Sequence, residues 1–252
     1  LEGSKNMKRK SAVLIFEGPW RIYDNDVNRS SVLPFFEGMA KQFDNVEIIH
    51  SRYYDLHSFR AAFAELSNHT FGNAIVYVAG HGDGKRVSGA KILDILVECS
   101  VDSERANITG VVLGSCFSAG TPDQPQNDTI NYMIQESRIA WIAAYKCASY
   151  WFQSTLLDLA IINTMLSARE KDFGQRESIT RMLARAISPF SPGFELGDDS
   201  LNEDEADPVS LGDGLAFFSQ PRGQGHKARE VTEEVWHSWK QRQLDPETSD
   251  LS

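Results

Sequence analysis

The sequence predicts an α/β protein with a mostly parallel central sheet, and three observations between Ala74 and Gly120 carry that reading. Two short apolar runs, Ala74-Ile-Val-Tyr-Val-Ala79 and Gly110-Val-Val-Leu113, are β-branched, uninterrupted and bounded by glycine, as buried parallel strands are. Between them, Ala90 to Cys99 sets Ile92, Leu93, Leu96 and Val97 at helical spacing, so the stretch reads strand, helix, strand. Each apolar run then stops at a reactive side chain among small residues: Gly80-His81-Gly82-Asp83-Gly84 and Gly114-Ser115-Cys116-Phe117-Ser118-Ala119-Gly120.

The remaining elements follow in chain order. Ala12 to Phe16 is a first strand stopped by Glu17-Gly18-Pro19. Ser31 to Phe43 reads as a helix with Pro34 in its first turn, and Val46 to His50 as a second strand. Leu56 to Leu66 repeats Leu56, Phe59, Phe63 and Leu66 at helical spacing. After Cys116, Thr121 to Asp128 reads as a loop, Ile130 to Glu136 as a short helix and Ile139 to Tyr145 as a fifth strand. Trp151 to Leu166 is apolar enough for a buried helix, and Gln175 to Ile187 is an amphipathic one. Glu195 to Asp207 holds seven acids and no base and reads as a mobile acidic loop. Leu211 to Ser219 returns as a final strand, and Glu230 to Gln243 is a terminal helix.

A chain of 252 residues can bury one substantial core, and α/β domains of this length commonly stay undivided. We read residues 11–245 as one domain with an acidic loop at 195–207, an N-terminal tail at 1–10 and a C-terminal tail at 246–252. Leu1 to Ser4, ahead of Met7, read as a tag remnant. The net charge of -10 disfavours nucleic acid and anionic membranes as partners and suits a basic peptide or protein. Three cysteines, Cys99, Cys116 and Cys147, are too few for a disulfide framework, and their spacing suggests no zinc site. A reducing cytosol fits, and no metal or cofactor is expected. No apolar run reaches the length of a membrane helix.

In open α/β sheets, functional groups gather outside the carboxyl ends of strands, so His81 and Cys116 should meet on one rim as a Cys-His dyad. Cys99 and Cys147 lack such a polar setting and read as structural, and His50, His57 and His69 as surface or packing histidines.

This arrangement resembles the caspase-like cysteine peptidases, the group with caspases, metacaspases, legumains, clostripain, gingipains, separases and the bacterial CHAT domains. Members carry His-Gly after one core strand and Cys after the next, here His81-Gly82 and Cys116, and the resemblance covers roughly residues 11 to 165. It implies a three-layer sandwich with a mostly parallel sheet of about six strands flanked by helices. It also implies a cysteine endopeptidase acting on a protein or peptide substrate, with an activating or inhibitory protein as a further partner; some bacterial members serve in antiviral defence. The amides of Gly82 and Cys116 become the oxyanion donors.

In that family the loop after the first strand helps form the pocket for the residue preceding the scissile bond. Here Arg21 would suit an acidic residue, while Glu17, Asp24 or Asp26 would suit a basic one; the plainer reading is that they are solvated loop charges. Gly114, Ser115, Tyr145 and Lys146 would line the same cleft. Several members have Gln, Asp or Glu two residues before the nucleophile, and Gly114 departs from that pattern. Asp83 adjoins His81, but neighbouring loop residues often point apart, so no acid is assigned to orient the histidine.

Two rivals remain. Gly114-Ser115-Cys116-Phe117-Ser118 could be a variant nucleophile elbow of an α/β-hydrolase, which would require His226 or His237 as base. Alternatively, the chain is a catalytically silent caspase-like scaffold that binds a partner.

Overall fold

The computed structural model describes residues 9–20, 30–121, 124–135, 137–202, 204, 206–223 and 226–244. The chain begins with β1 (Ser11–Glu17), α1 (Leu33–Ala40), β2 (Val46–Arg52), α2 (Leu56–Leu66) and β3 (Ala74–Ala79). A short hairpin of β4 (Arg86–Val87) and β5 (Ala90–Lys91) leads into α3 (Ile92–Ala106) and β6 (Ile108–Gly114). A second hairpin, β7 (Gly120–Thr121) and β8 (Gln124–Pro125), leads to α4 (Asn127–Gln135), β9 (Trp141–Tyr145), β10 (Ala148–Ser149) and α5 (Trp151–Leu166). After α6 (Arg176–Ile187) come β11 (Glu195–Asp198), β12 (Pro208–Ser210), α7 (Leu211–Gly214), β13 (Leu215–Ser219), β14 (Arg229–Glu230) and α8 (Thr232–Leu244).

Local chemistry explains the boundaries. Asp55 caps α2 by accepting from the Ser58 amide at 2.8 Å, while the Ser58 hydroxyl receives the amide of Asp55, a reciprocal box that fixes the helix start. Pro34 is tolerated in the first turn of α1, where its missing N–H has no partner to lose. Helix α3 runs to Ala106, seven residues beyond the expected Cys99, because Ser103 and Ala106 continue its buried face, and Asn107 caps it in the left-handed conformation.

A seven-stranded sheet has the order β14-β13-β9-β6-β3-β1-β2. The strands from β9 through β2 run parallel, while β13 is antiparallel to β9 and β14 antiparallel to β13. Helices α1, α5, α6 and α8 pack on one face, against Ile75, Tyr77 and Val112, and helices α2, α3 and α4 cover the other, against Val76, Val78 and Leu113. The result is a three-layer α/β sandwich. Every residue of β3, β6 and β9 is buried, which explains why their sequences do not alternate.

Starting at β1, the chain builds outward to β2, then returns to place β3 on the other side of β1 and continues through β6 to β9. The strand order therefore reverses between β1 and β3, where open α/β sheets form a crevice at their carboxyl ends.

Three expectations are corrected. The first residues of the acidic stretch are not loop: Glu195–Asp198 form β11, which pairs with β10 and β12, and the Asp199 amide closes the hairpin onto Asp207 O at 3.0 Å. The final strand begins at Leu215, since Leu211–Gly214 form the short helix α7. Thr121 to Asp128 is likewise partly ordered, with Gly120 and Thr121 paired to Pro125 and Gln124 and the helix α4 starting at Asn127. Among the described residues no helix is long and apolar enough to cross a membrane.

Candidate active site

Strands β3 and β6 are paired so that Ala79 lies opposite Gly114, and the Gly80 amide continues the ladder to Gly114 O at 3.4 Å. His81 and Cys116 thus occupy matching positions just past the paired strand ends. Their loops touch directly: a Cβ on Gly82 would fall 2.3 Å from the Cys116 carbonyl oxygen and 3.0 Å from its amide nitrogen. Only glycine permits that approach.

His81 is exposed, and its Nε2 donates to the carbonyl oxygen of Trp20, just after β1. A carbonyl only accepts, so this contact assigns the proton to Nε2 and leaves Nδ1 as the basic nitrogen. The Trp20 indole meets the imidazole edge-on at 6.0 Å and also packs on Trp151. Asp83 does not orient the histidine; its carboxylate accepts from the amides of Lys85 and Arg86 and closes its own turn.

Cys116 is half-buried, whereas Cys99 and Cys147 are fully enclosed. Burial raises its thiol above the ordinary value, while the Ser149 hydroxyl and the amides of Ser149, Gly82 and Cys116 itself act in the opposite direction. The resting group is a thiol, with Sγ 3.8 Å from Ser149 O as its acceptor. Burial likewise pushes the Cys147 thiol up to about 12, so it stays protonated.

The turn carrying Cys116 is strained and firmly held. Phe117 has a φ of 53°, a conformation that costs a non-glycine residue free energy unless its surroundings enforce it. The enforcement comes from the end of β9: the Phe117 amide donates to Cys147 O at 2.9 Å and the Ala119 amide to Tyr145 O at 2.8 Å. The Ser118 hydroxyl accepts from the Tyr145 amide and donates to Leu113 O, which joins the two strand ends.

Beside this turn, β10 pairs with β11 on one side and, among the described residues, leaves its other edge free. Tyr150 N donates to Leu196 O, so the alternation of an antiparallel ladder makes Ala148 the bonded partner of Asp198 and leaves Ser149 opposite Gly197 without mutual bonds. The N–H and C=O of Ser149 therefore point away from β11 and toward Cys116, where Ser149 O meets the sulfur.

Several residues expected to line the cleft are buried or already paired. Glu17 is fully buried and accepts from Trp20 Nε1, Ser31 Oγ, Val32 N and His50 Nε2 at 2.7 to 2.9 Å. Burial alone would raise its carboxyl, but these hydrogen bonds, His50 foremost, hold it below the usual range. It ties β1 to α1 and β2, and it is not presented to a substrate. Tyr145 is also sealed in, its hydroxyl donating to Asp158 Oδ1 at 2.6 Å. Gly114 is buried above Tyr77 and Asp158, which lie 2.4 Å and 2.9 Å from where its Cβ would be. Ser115 is enclosed at the strand end, its hydroxyl without a partner among the described residues, and Lys146 is paired with Glu230 at 2.7 Å. Arg21, Asp24 and Asp26 lie outside the described residues.

The sequence reading missed two participants. Trp20 acts through a backbone carbonyl, for which side-chain identity gives no signal. Asp158 did leave one, as the single charged residue of the Trp151–Leu166 helix. The α/β-hydrolase rival loses its nearer base. The His226 carbonyl accepts from Gln220, whose amide bonds Ala140 just before β9, so His226 belongs to the end of the sheet opposite Cys116. His237 lies on α8, bonded to Gln241.

No protein-family model matches this chain, and no curated protein is similar to it.

Proposed function

We propose that this protein is a cysteine endopeptidase of the caspase-like type, with Cys116 as nucleophile and His81 as its base. The observation that carries the reading is the placement of His81 and Cys116 at matching positions past adjacent parallel strands, beside the reversal of strand order. The contact from His81 Nε2 to Trp20 O supports it, because an imidazole held by one nitrogen offers the other for proton transfer.

In this mechanism an extended peptide adds to the free edge of β10 and bonds the N–H and C=O of Ser149, displacing the resting thiol contact. His81 Nδ1 takes the thiol proton and the sulfur attacks the scissile carbonyl. The oxyanion is stabilised by the amides of Gly82 and Cys116, which already face the sulfur. Collapse breaks the C–N bond, and the imidazolium returns its proton to the departing amine. Water, deprotonated by His81, then hydrolyses the thioester and frees the Cys116 thiol.

The burial-raised thiol gives the silent scaffold one supporting observation, since a resting thiol is unreactive until a substrate or activator changes its surroundings. Regulation by a protein partner, a cytosolic setting and a role in bacterial defence rest on the resemblance. Incubation of a diverse peptide library with the protein and with Cys116→Ala separates the readings. The peptidase cuts at defined sites and the variant leaves the library intact; an intact library in both, with retained binding to a partner, selects the scaffold.

A further inference from the structure

The mechanism above leaves one buried ionisable group unused. Asp158 is wholly enclosed on α5, and among the described residues its only hydrogen-bonding neighbours are neutral phenols. Tyr145 donates to Oδ1, Tyr77 stands beside Oδ2, and among the described residues no cation pairs with the carboxyl. A buried acid without a counter-charge is costly to keep, so its placement calls for a physical role.

The neighbouring contacts indicate that role. Tyr145 is the last residue of β9, and its backbone grips the nucleophile turn at both groups, the amide on Ser118 Oγ and the carbonyl on the Ala119 amide. The next carbonyl but one, on Cys147, holds the strained Phe117. The far end of Tyr145 is fixed by its hydroxyl, between Asp158 Oδ1 at 2.6 Å and Ser154 O at 3.3 Å. Gly114 lacks the side chain that would occupy the same space, so Asp158 and Tyr77 can rise beneath the strand that carries the nucleophile.

We propose that Asp158 is a positioning residue for Cys116: through the Tyr145 hydroxyl it fixes the end of β9, and through that end the strained turn that aims the sulfur at the amides of Gly82, Cys116 and Ser149. The proposal builds on Cys116 as the reactive thiol and does not require that a peptide be the substrate. Groups facing the carboxyl are Tyr77 from β3 and Tyr145 from β9, with Glu17 of β1 acting on Tyr77 and the Thr155 hydroxyl on the same helix bonded to Trp151 O.

The test reads the sulfur directly. Iodoacetamide alkylation of Cys116, followed by peptide mass spectrometry from pH 6 to pH 10, gives the midpoint of thiol reactivity in the full-length protein. Asp158→Leu keeps the branched shape of the side chain but offers no acceptor, and Tyr145→Phe removes the same contact from its other end by deleting one oxygen. Both variants should move the midpoint upward by about half a unit or more, as the sulfur loses its alignment with the amides. The double variant should move it no further than the larger single change, because one contact is removed twice. If the protein cleaves peptides, kcat should fall about fivefold in each variant with KM unchanged, the loss of one hydrogen bond's positioning. Folded variants with an unshifted alkylation midpoint overturn the proposal. A protein that cleaves nothing but shows the shift would overturn the peptidase reading alone.

Discussion

The imidazole of His81 is bonded through Nε2 to the backbone carbonyl of Trp20, so the loop after β1 fixes the ring that follows β3. A carbonyl cannot change protonation, unlike a carboxylate, and it only accepts, so it selects the Nε2–H tautomer of the neutral ring. Replacing His81 by Ala should lower peptide cleavage by about 10²-fold to 10⁴-fold while the Tm stays within a few degrees, since the ring is exposed. Steady-state kinetics beside a thermal melt check this.

Gly82 allows the two reactive loops to touch. In Gly82→Ala the new methyl would sit 2.3 Å from the Cys116 carbonyl oxygen, a backbone atom with no rotamer to yield. The loops must part, at a cost of about 1–3 kcal/mol. Loss of nearly all cleavage together with a lowered urea midpoint is the expected outcome.

The free edge of β10 predicts that substrate pairing runs through Ser149. Ser149→Pro removes the N–H proposed to pair with the substrate while leaving the carbonyl that faces Cys116. KM should rise about tenfold, and the alkylation midpoint of Cys116 should rise as well, since the Ser149 amide favours the thiolate. An unchanged KM would place the substrate elsewhere.

Two buried carboxyls give opposite pH dependences. Glu17 has a lowered folded pKa, so its stabilising contribution is present above its unfolded value and is lost as pH falls through the folded one. Glu17→Gln should therefore be destabilised at pH 7, by about 1–3 kcal/mol, and the gap should close in acid. Comparing urea unfolding at pH 7 and pH 3 measures it.

Asp158 behaves in the reverse sense. Burial raises its carboxyl from 3.8 to about 7, so the folded protein holds a proton that the unfolded chain releases, and stability falls as pH rises across that interval. Asp158→Asn cannot ionise. Its stability relative to the unsubstituted protein should grow between pH 4 and pH 8 by up to about 4 kcal/mol, read from the same unfolding curves.

Where side chains set the structure, the sequence disclosed it well. The periodic faces of Leu56–Leu66 and Trp151–Leu166 gave both helices with their observed ends, and the apolar run at Ala74–Ala79 gave β3. The rim was legible too, since glycines beside a histidine and a cysteine follow directly from those strands. Pairing energies that depend on a distant partner were not. Glu195–Asp198 joins a sheet because Ala148–Ser149 and Pro208–Ser210 offer edges to it, and its acidic composition conceals this. Glu17 looked like a rim carboxylate because the donors that enclose it, Ser31, Val32 and His50, come from later elements. Tyr145, at the end of its strand, was expected to face the cleft; the buried carboxyl of Asp158 draws it inward.

A peptide carrying an acyloxymethyl ketone, which captures only an activated thiolate, measures the pairing of Cys116 and His81 most directly when adducts are mapped by mass spectrometry. That pairing predicts one adduct, on Cys116, absent in Cys116→Ala and formed at least about a hundredfold more slowly in His81→Ala. Labelling that proceeds at the same rate without His81, or that falls on Cys99 or Cys147, would contradict it.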